Sequence, residues 1–238
     1  MNLFPKNVKF LSTLRSIEGG RSLGKFSNFN LALHVNDNVE DVITNRLILR
    51  DYYDLPSEPV WLNQTHTSIC LNATGLNSNK DADASFTSDS GVVCGVLTAD
   101  CLPVFVSKKD GSMVGIAHAG WRGLVSGVIE NLIDAFDCVG EDIVVHLGPA
   151  ISMYSFEIGE EVKDIYLKKN ASFERSFSYH KNKLFLDLYD AARVVLESYQ
   201  ISSISGGDRC TYKEIDYYFS YRRDGKNSGR MAHLIWMI

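Results

Sequence analysis

The stretch "GVVCGVLTADCLPVFVS", residues 91–107, constrains the fold of this chain more than any other segment. It is an almost unbroken apolar run rich in valine, followed by the turn "KKDG" and then by "GSMVGIAHAG". Apolar runs without polar alternation mark strands buried on both faces, and the turn between these two predicts a hairpin. An acid and a thiol, Asp100 and Cys101, sit inside the run where packing alone asks for aliphatic side chains.

The rest of the chain alternates between the two periodicities. "DNVEDVITNRLILRDYYDL" and "GWRGLVSGVIENLIDAF" carry apolar residues at helical spacing. "LFLDLYDAARVVLESYQ" predicts a further long helix. "PVWLNQTH" and "SICLNAT" predict two short strands around a polar turn, "EDIVVHLGPAI" another buried strand, and "YYFSYRRDGKNSGRMAHLIWMI" a loop and a closing strand. The class is therefore α/β or mixed α+β, with sheets covered by helices. No low-complexity segment divides residues 1–238, so the expectation is a single domain.

With 45% hydrophobic residues, a chain of 238 residues builds a sizeable core without disulfides or a structural metal. A net charge of −5 gives no electrostatic footprint for nucleic acid. No apolar stretch approaches the ~20 residues of a membrane span, and the first residues lack the apolar core of a signal peptide. Five cysteines without a CxxC pair fit a reducing compartment. These features together predict a cytoplasmic chain, with the oligomeric state open.

Three residues flanking predicted strands draw attention: His66 in "NQTHTS", Cys101 in "LTADCLP" and His118 in "GIAHAGWRG". If the hairpin pairs as expected, Cys101 and His118 sit at same-side ends of neighbouring strands, and His66 ends a third. Two imidazoles and a thiolate make a tetrahedral zinc site with one position open, the catalytic kind. Cys101 as a nucleophile with His118 as its base is a second reading. Copper is a third, with Met113 or Met153 as an axial ligand. A closed, non-catalytic metal site with Cys210 as fourth ligand is a fourth. The histidines at 146, 180 and 233 have no chemical partner in sequence and are read as structural.

The blocks "NLALHVNDNVEDVITNR", "NQTH", "DADASFT", "LTADCLPVF", "AHAGWRG", "LGPAI…FEIGEEV", "CTY" and "FSYRRDG…SGRMA", in this order, resemble the YfiH-like, or laccase-domain, family. That family was long called polyphenol oxidase, and its members are now described as purine nucleoside phosphorylases. The resemblance implies an α-β-β-α sandwich with mixed β-sheets and a zinc ion held by His66, Cys101 and His118. It implies phosphorolysis of adenosine, inosine and methylthioadenosine, with deamination of adenosine as a secondary activity. A copper-dependent polyphenol oxidase and a cysteine hydrolase are the alternatives. One departure is "AISMYSFEIG", where relatives often carry a cysteine in place of Tyr154 or Ser155.

Phosphorolysis needs a nucleoside and phosphate as partners, and cations to hold the latter. Arg46 and Arg122 are the candidates, since a guanidinium offers phosphate a bidentate fork. Asp83, between two alanines, is the first choice for acid–base work. Asp100 is the second choice, or else a residue orienting a ligand imidazole. Gln64 and His34 are candidates for base or ribose contacts, Trp121 for stacking, and Arg222 or Arg223 for reaching the cleft.

Overall fold

The computed structural model describes residues 3–74 and 78–238. The first half of the chain supplies β1 (Val8–Ser12), α1 (Val39–Tyr52), β2 (Cys70–Asn72), β3 (Ala84–Thr87), β4 (Cys94–Thr98), β5 (Leu102–Lys108) and β6 (Val114–Ala119). There follow α2 (Trp121–Ser126), α3 (Val128–Asp134), β7 (Ile143–Leu147), β8 (Glu157–Ile158), α4 (Glu160–Lys169), β9 (Phe177–His180) and β10 (Lys183–Leu186). The chain closes with α5 (Leu188–Ser198), β11 (Ile204–Gly206), α6 (Tyr221–Asp224) and β12 (Met231–Met237).

Six strands form a mixed sheet in the order β11-β7-β5-β6-β3-β2, and three form an antiparallel sheet in the order β1-β12-β4. Strand alternation then sorts the side chains into layers. On β5, Leu102, Val104 and Val106 pack with the buried faces of α3 and α5, while Phe105 turns to the other side. There it meets Cys94 and Val96 of β4 and Ile235 of β12. The outer face of the smaller sheet, with Leu97, Leu234 and Trp236, packs on Leu49 of α1. The order of layers is thus α1, small sheet, large sheet, then α3 and α5: an α-β-β-α sandwich. A third small sheet, β8-β10-β9, flanks it.

Side-chain caps set the helix boundaries. The Asn38 side chain accepts from the backbone N–H groups of Glu40 and Asp41, and Asp187 does the same for Tyr189 and Asp190 at the start of α5. Three departures from the expected elements have local causes. The apolar run at 91–107 is two strands in two different sheets, broken at Asp100, whose backbone has φ +91°. "GWRGLVSGVIENLIDAF" is two helices, because Gly127 at φ +99° ends α2 and starts α3. "PVWLNQTH" forms no strand: Val60 and Asn63 make only isolated bridges, and His66 lies in a loop at φ +62°. Among the described residues no helix is long and apolar enough to cross a membrane.

Candidate metal centre

The break at Asp100 matters because it carries the chain from the small sheet to the large one, and Cys101 sits in the crossing. The hairpin of β5 and β6 pairs Leu102 with Ala119 and Pro103 with His118, so Cys101 lies beside the end of β6. The loop bearing His66 folds over the same strand ends. One ligand atom from each of His66, Cys101 and His118 lies within 4.8 Å of the others. Gly120 makes this convergence possible, since a Cβ there would stand 2.9 Å from Cys101 Sγ and 2.9 Å from His66 Cδ2.

Asp83 organises two of the three. It is fully buried, and its Oδ1 lies 2.7 Å from His118 Nδ1. Its two oxygens also accept from the backbone N–H groups of Thr65, His66 and Thr67 and from the Thr67 hydroxyl. One carboxylate therefore fixes the His118 ring, leaving Nε2 for a ligand, and shapes the loop that presents His66. Despite burial, the bond and the charge of His118 hold the Asp83 carboxyl below the ordinary range. Burial opposes charge on Cys101 too, yet the two imidazoles pull its thiol down, toward the thiolate that a metal or an electrophile requires.

The trio borders a cleft of about 530 Å³, within the size range of small-molecule sites. Its walls carry Trp121, Phe156 and Tyr221 together with Arg122, Arg222 and Arg230. Each ring has a guanidinium against it: Arg122 4.2 Å from Trp121, Arg222 5.1 Å from Phe156 and Arg230 5.7 Å from Tyr221.

The structure brings some of the expected site residues together and parts others. His34, Gln64, Asp100 and Arg122 line the cleft. Gln64 spends its amide on Leu97, donating to its carbonyl and accepting from its N–H, so it ties the His66 loop to β4. Asp100 bonds no imidazole. It accepts from Thr211 Oγ1, Ser220 Oγ and the Arg222 N–H, which anchors the segment carrying Tyr221 and Arg222. Arg46 does not line the cleft: its Nε donates to the Leu31 carbonyl and its guanidinium lies 4.4 Å from the Trp61 ring. Arg223 is saturated by Asp224 and by the carbonyls of Thr211, Tyr212 and Tyr218. Asp83 is not in the cleft wall; its carboxylate is turned to His118 and the 65–67 loop. Cys210 lies on Ser152 Oγ at 2.9 Å, apart from the trio, so it closes no fourth position. Among the described residues no methionine lines the cleft, and Met113 stands before β6 at the end opposite His118. His146 and His233 are structural: His146 packs on Phe10, and His233 bonds Ser12 and Thr98. Phe156 and Arg230 also line the cleft. In sequence, Arg230 closes the basic stretch "SYRRDGKNSGR", which allows a local anion pocket without saying which arginine forms it.

Fold and site together define a sandwich protein with a three-donor, metal-binding type of centre, open to a cleft. The chain belongs to the family described as multi-copper polyphenol oxidoreductase laccase, whose model matches residues 10–238. An Escherichia coli (strain K12) protein named purine nucleoside phosphorylase YfiH is 44% identical, covering 98% of this chain and 96% of its own. A Haemophilus influenzae protein named purine nucleoside phosphorylase is 39% identical over 98% of this chain and 95% of its own. Among solved structures, a Neisseria meningitidis protein of family DUF152 superposes with a TM-score of 0.93 at 42% identity, covering 100% of this chain and 97% of that one.

Proposed function

We propose that this chain is a zinc-dependent purine nucleoside phosphorylase acting on adenosine, inosine and methylthioadenosine, with adenosine deamination as a secondary activity. The observation that carries the reading is an open His66/Cys101/His118 centre in one cleft with aromatic rings and arginines. The phosphorylase names of the relatives support the choice of reaction. Zinc suits the donors: two imidazole nitrogens and a thiolate leave a tetrahedral ion one open position. The copper alternative has less support, since among the described residues no methionine, the common axial ligand of a blue-copper centre, lines the cleft. When bound, the ion supplies a Lewis acid, or lowers the pKa of a water toward ~7 as deamination requires.

In phosphorolysis a phosphate oxygen bonds to C1′ of the ribose as the bond from C1′ to the purine nitrogen breaks. The bonding pair leaves with the purine, which then takes up a proton. The chain's residues serve this chemistry by holding its parts. Trp121, Phe156 and Tyr221 offer ring faces for a purine. The guanidiniums beside them balance phosphate charge, with Arg122 at the first turn of α2 on the rim. Asp83 holds His118 in one tautomer, and Asp100 keeps the Tyr221–Arg222 segment against the cleft.

A second reading rests on one observation. The Cys101, His118 and Asp83 sequence of contacts is also that of a nucleophile, its base and the group orienting the base. The deciding experiment is phosphate-dependent release of base from adenosine by zinc-loaded protein, with Cys101→Ala alongside. Release that needs phosphate and fails both in the variant and after chelation is expected. Turnover that survives chelation but not thiol alkylation would move the assignment to a cysteine hydrolase. No base released from any of the three nucleosides sinks the phosphorylase.

A further inference from the structure

The cleft holds a cation that neither the three-donor centre nor any ion pair uses. Arg230 enters from the Ser228-Gly229 turn immediately before β12. Its backbone N–H donates to Asn30 Oδ1 at 2.9 Å, and its carbonyl accepts from the Leu31 N–H at 3.3 Å, so the main chain is pinned from both sides. Its Nη1 donates to the carbonyls of Ser228 and Gly229 at 2.6 and 3.0 Å. Gly229 is packed against Phe219 so closely that a Cβ would stand 2.6 Å from the ring. The guanidinium is therefore held in place before any ligand arrives, with the Tyr221 ring 5.7 Å away.

What it lacks is an anion. Among the described residues no carboxylate forms an ion pair with Arg230, and no protein acceptor meets its Nε or Nη2. A part-buried cation without a counter-charge is costly, and here it lines the cleft beside the centre. Burial disfavours its charge, and the negative charges of Cys101 and Asp100 oppose that without contacting it. Among the described residues Arg122 and Arg222 also form no ion pair, but both are exposed where Arg230 is half-buried. Arg222 donates to the Glu157 carbonyl, Arg122 lies on Trp121 at the exposed rim, and Arg223 has its full set of acceptors.

We propose that Arg230 is the anion-holding residue of the cleft, its two unbonded nitrogens taking two oxygens of a tetrahedral oxyanion. The identity of that anion as phosphate rests on the phosphorylase reading; the site itself does not. A fixed guanidinium edge matches two such oxygens better than a mobile ammonium does.

The test is calorimetric titration of the full-length protein with inorganic phosphate, in zinc-loaded and in chelator-stripped form. Arg230→Gln is expected to weaken phosphate binding at least tenfold in both forms with zinc content unchanged, and Arg230→Lys to lose less. Arg50→Gln, which removes an exposed cation in the last turn of α1, is expected to stay within twofold of wild type. Should Arg230→Gln prove unstable, Arg230→Lys carries the test, with a threefold or greater loss expected. Wild-type protein that takes up no phosphate at millimolar concentration overturns the proposal, as does Arg230→Gln or a folded Arg230→Lys with unchanged affinity. An equal loss in Arg50→Gln marks a long-range charge effect and overturns it too. The two readings fail separately. Arg230-dependent phosphate binding without base release removes the phosphorylase and keeps the anion site. Phosphorolysis with an unchanged KM for phosphate in Arg230→Gln does the reverse.

Discussion

The Asp83 carboxylate lies 2.7 Å from His118 Nδ1 and at the same time accepts the backbone N–H of His66 at 3.1 Å. One buried acid thereby positions two of the three donors. Asp83→Asn keeps the shape but turns an NH2 toward groups that themselves donate. Metal affinity is expected to fall by about ten- to a hundredfold, the usual effect of losing a partner that orients a ligand. Competition against a chromophoric zinc chelator measures it; an affinity within twofold of wild type would show that His118 needs no such support.

Gly120 tests the geometry from the other side. Its backbone, at φ −66° and ψ 161°, suits any residue, so Gly120→Ala introduces no main-chain strain. The added methyl would meet Cys101 Sγ and His66 Cδ2, each at 2.9 Å, and must push the donors apart. Zinc retained after dialysis is expected to drop well below one equivalent, while the melting temperature of the metal-free variant stays within a few degrees of wild type. Full zinc retention would contradict the close approach.

Cys101 and His118 were legible in sequence because both adjoin buried strands that a hairpin joins; His66 read as the end of a strand but sits in a loop. What the side chains around the trio do was less legible. "DADAS" places Asp83 between alanines but does not say which way its oxygens turn. They turn inward, to His118 and the 65–67 loop. Arg46, on a helix with an exposed face, read as a phosphate holder, yet the nearest acceptor to its guanidinium is a carbonyl in the preceding loop. The same limit applies to the fold. An apolar run looks alike whether it is one strand or two in different sheets, and only the left-handed turn at Asp100 separates them.

His233 predicts an acid limb of stability. It is fully buried between Ser12 and Thr98, and burial pushes its pKa down to about 3. In the unfolded chain a histidine titrates near ~6.5. Above that value the ring is neutral in both states and folding is indifferent to pH through this group. As pH falls from ~6.5 toward the folded value, only the unfolded chain takes the proton, so stability is lost. The loss approaches ~1.4 kcal/mol per pH unit, or about 2 kcal/mol between pH 6.5 and 5. His233→Phe has no ring proton to gain, so its urea midpoint is expected to start lower but to depend less steeply on pH over this range. Parallel midpoint curves for the two proteins would show that another group governs the limb.

Asp100 separates charge from conformation. Its oxygens gather Thr211, Ser220 and the Arg222 N–H, and its own backbone sits at φ +91°. Asparagine tolerates positive φ better than most residues, so Asp100→Asn removes the charge with little backbone strain, at a cost of about 1–3 kcal/mol for acceptors lost at a buried site. Asp100→Ala loses both acceptor oxygens where asparagine keeps one, and adds strain, so it is expected to be the less stable of the two by about 1 kcal/mol or more. Both variants free the segment that carries Tyr221 and Arg222 against the cleft, so KM for the nucleoside is expected to rise more than kcat falls. Chemical denaturation orders the stabilities, and steady-state kinetics separates the two parameters. Equal stabilities would remove the backbone from the account, and a fall confined to kcat would move Asp100 from holding the wall of the site to acting in its chemistry.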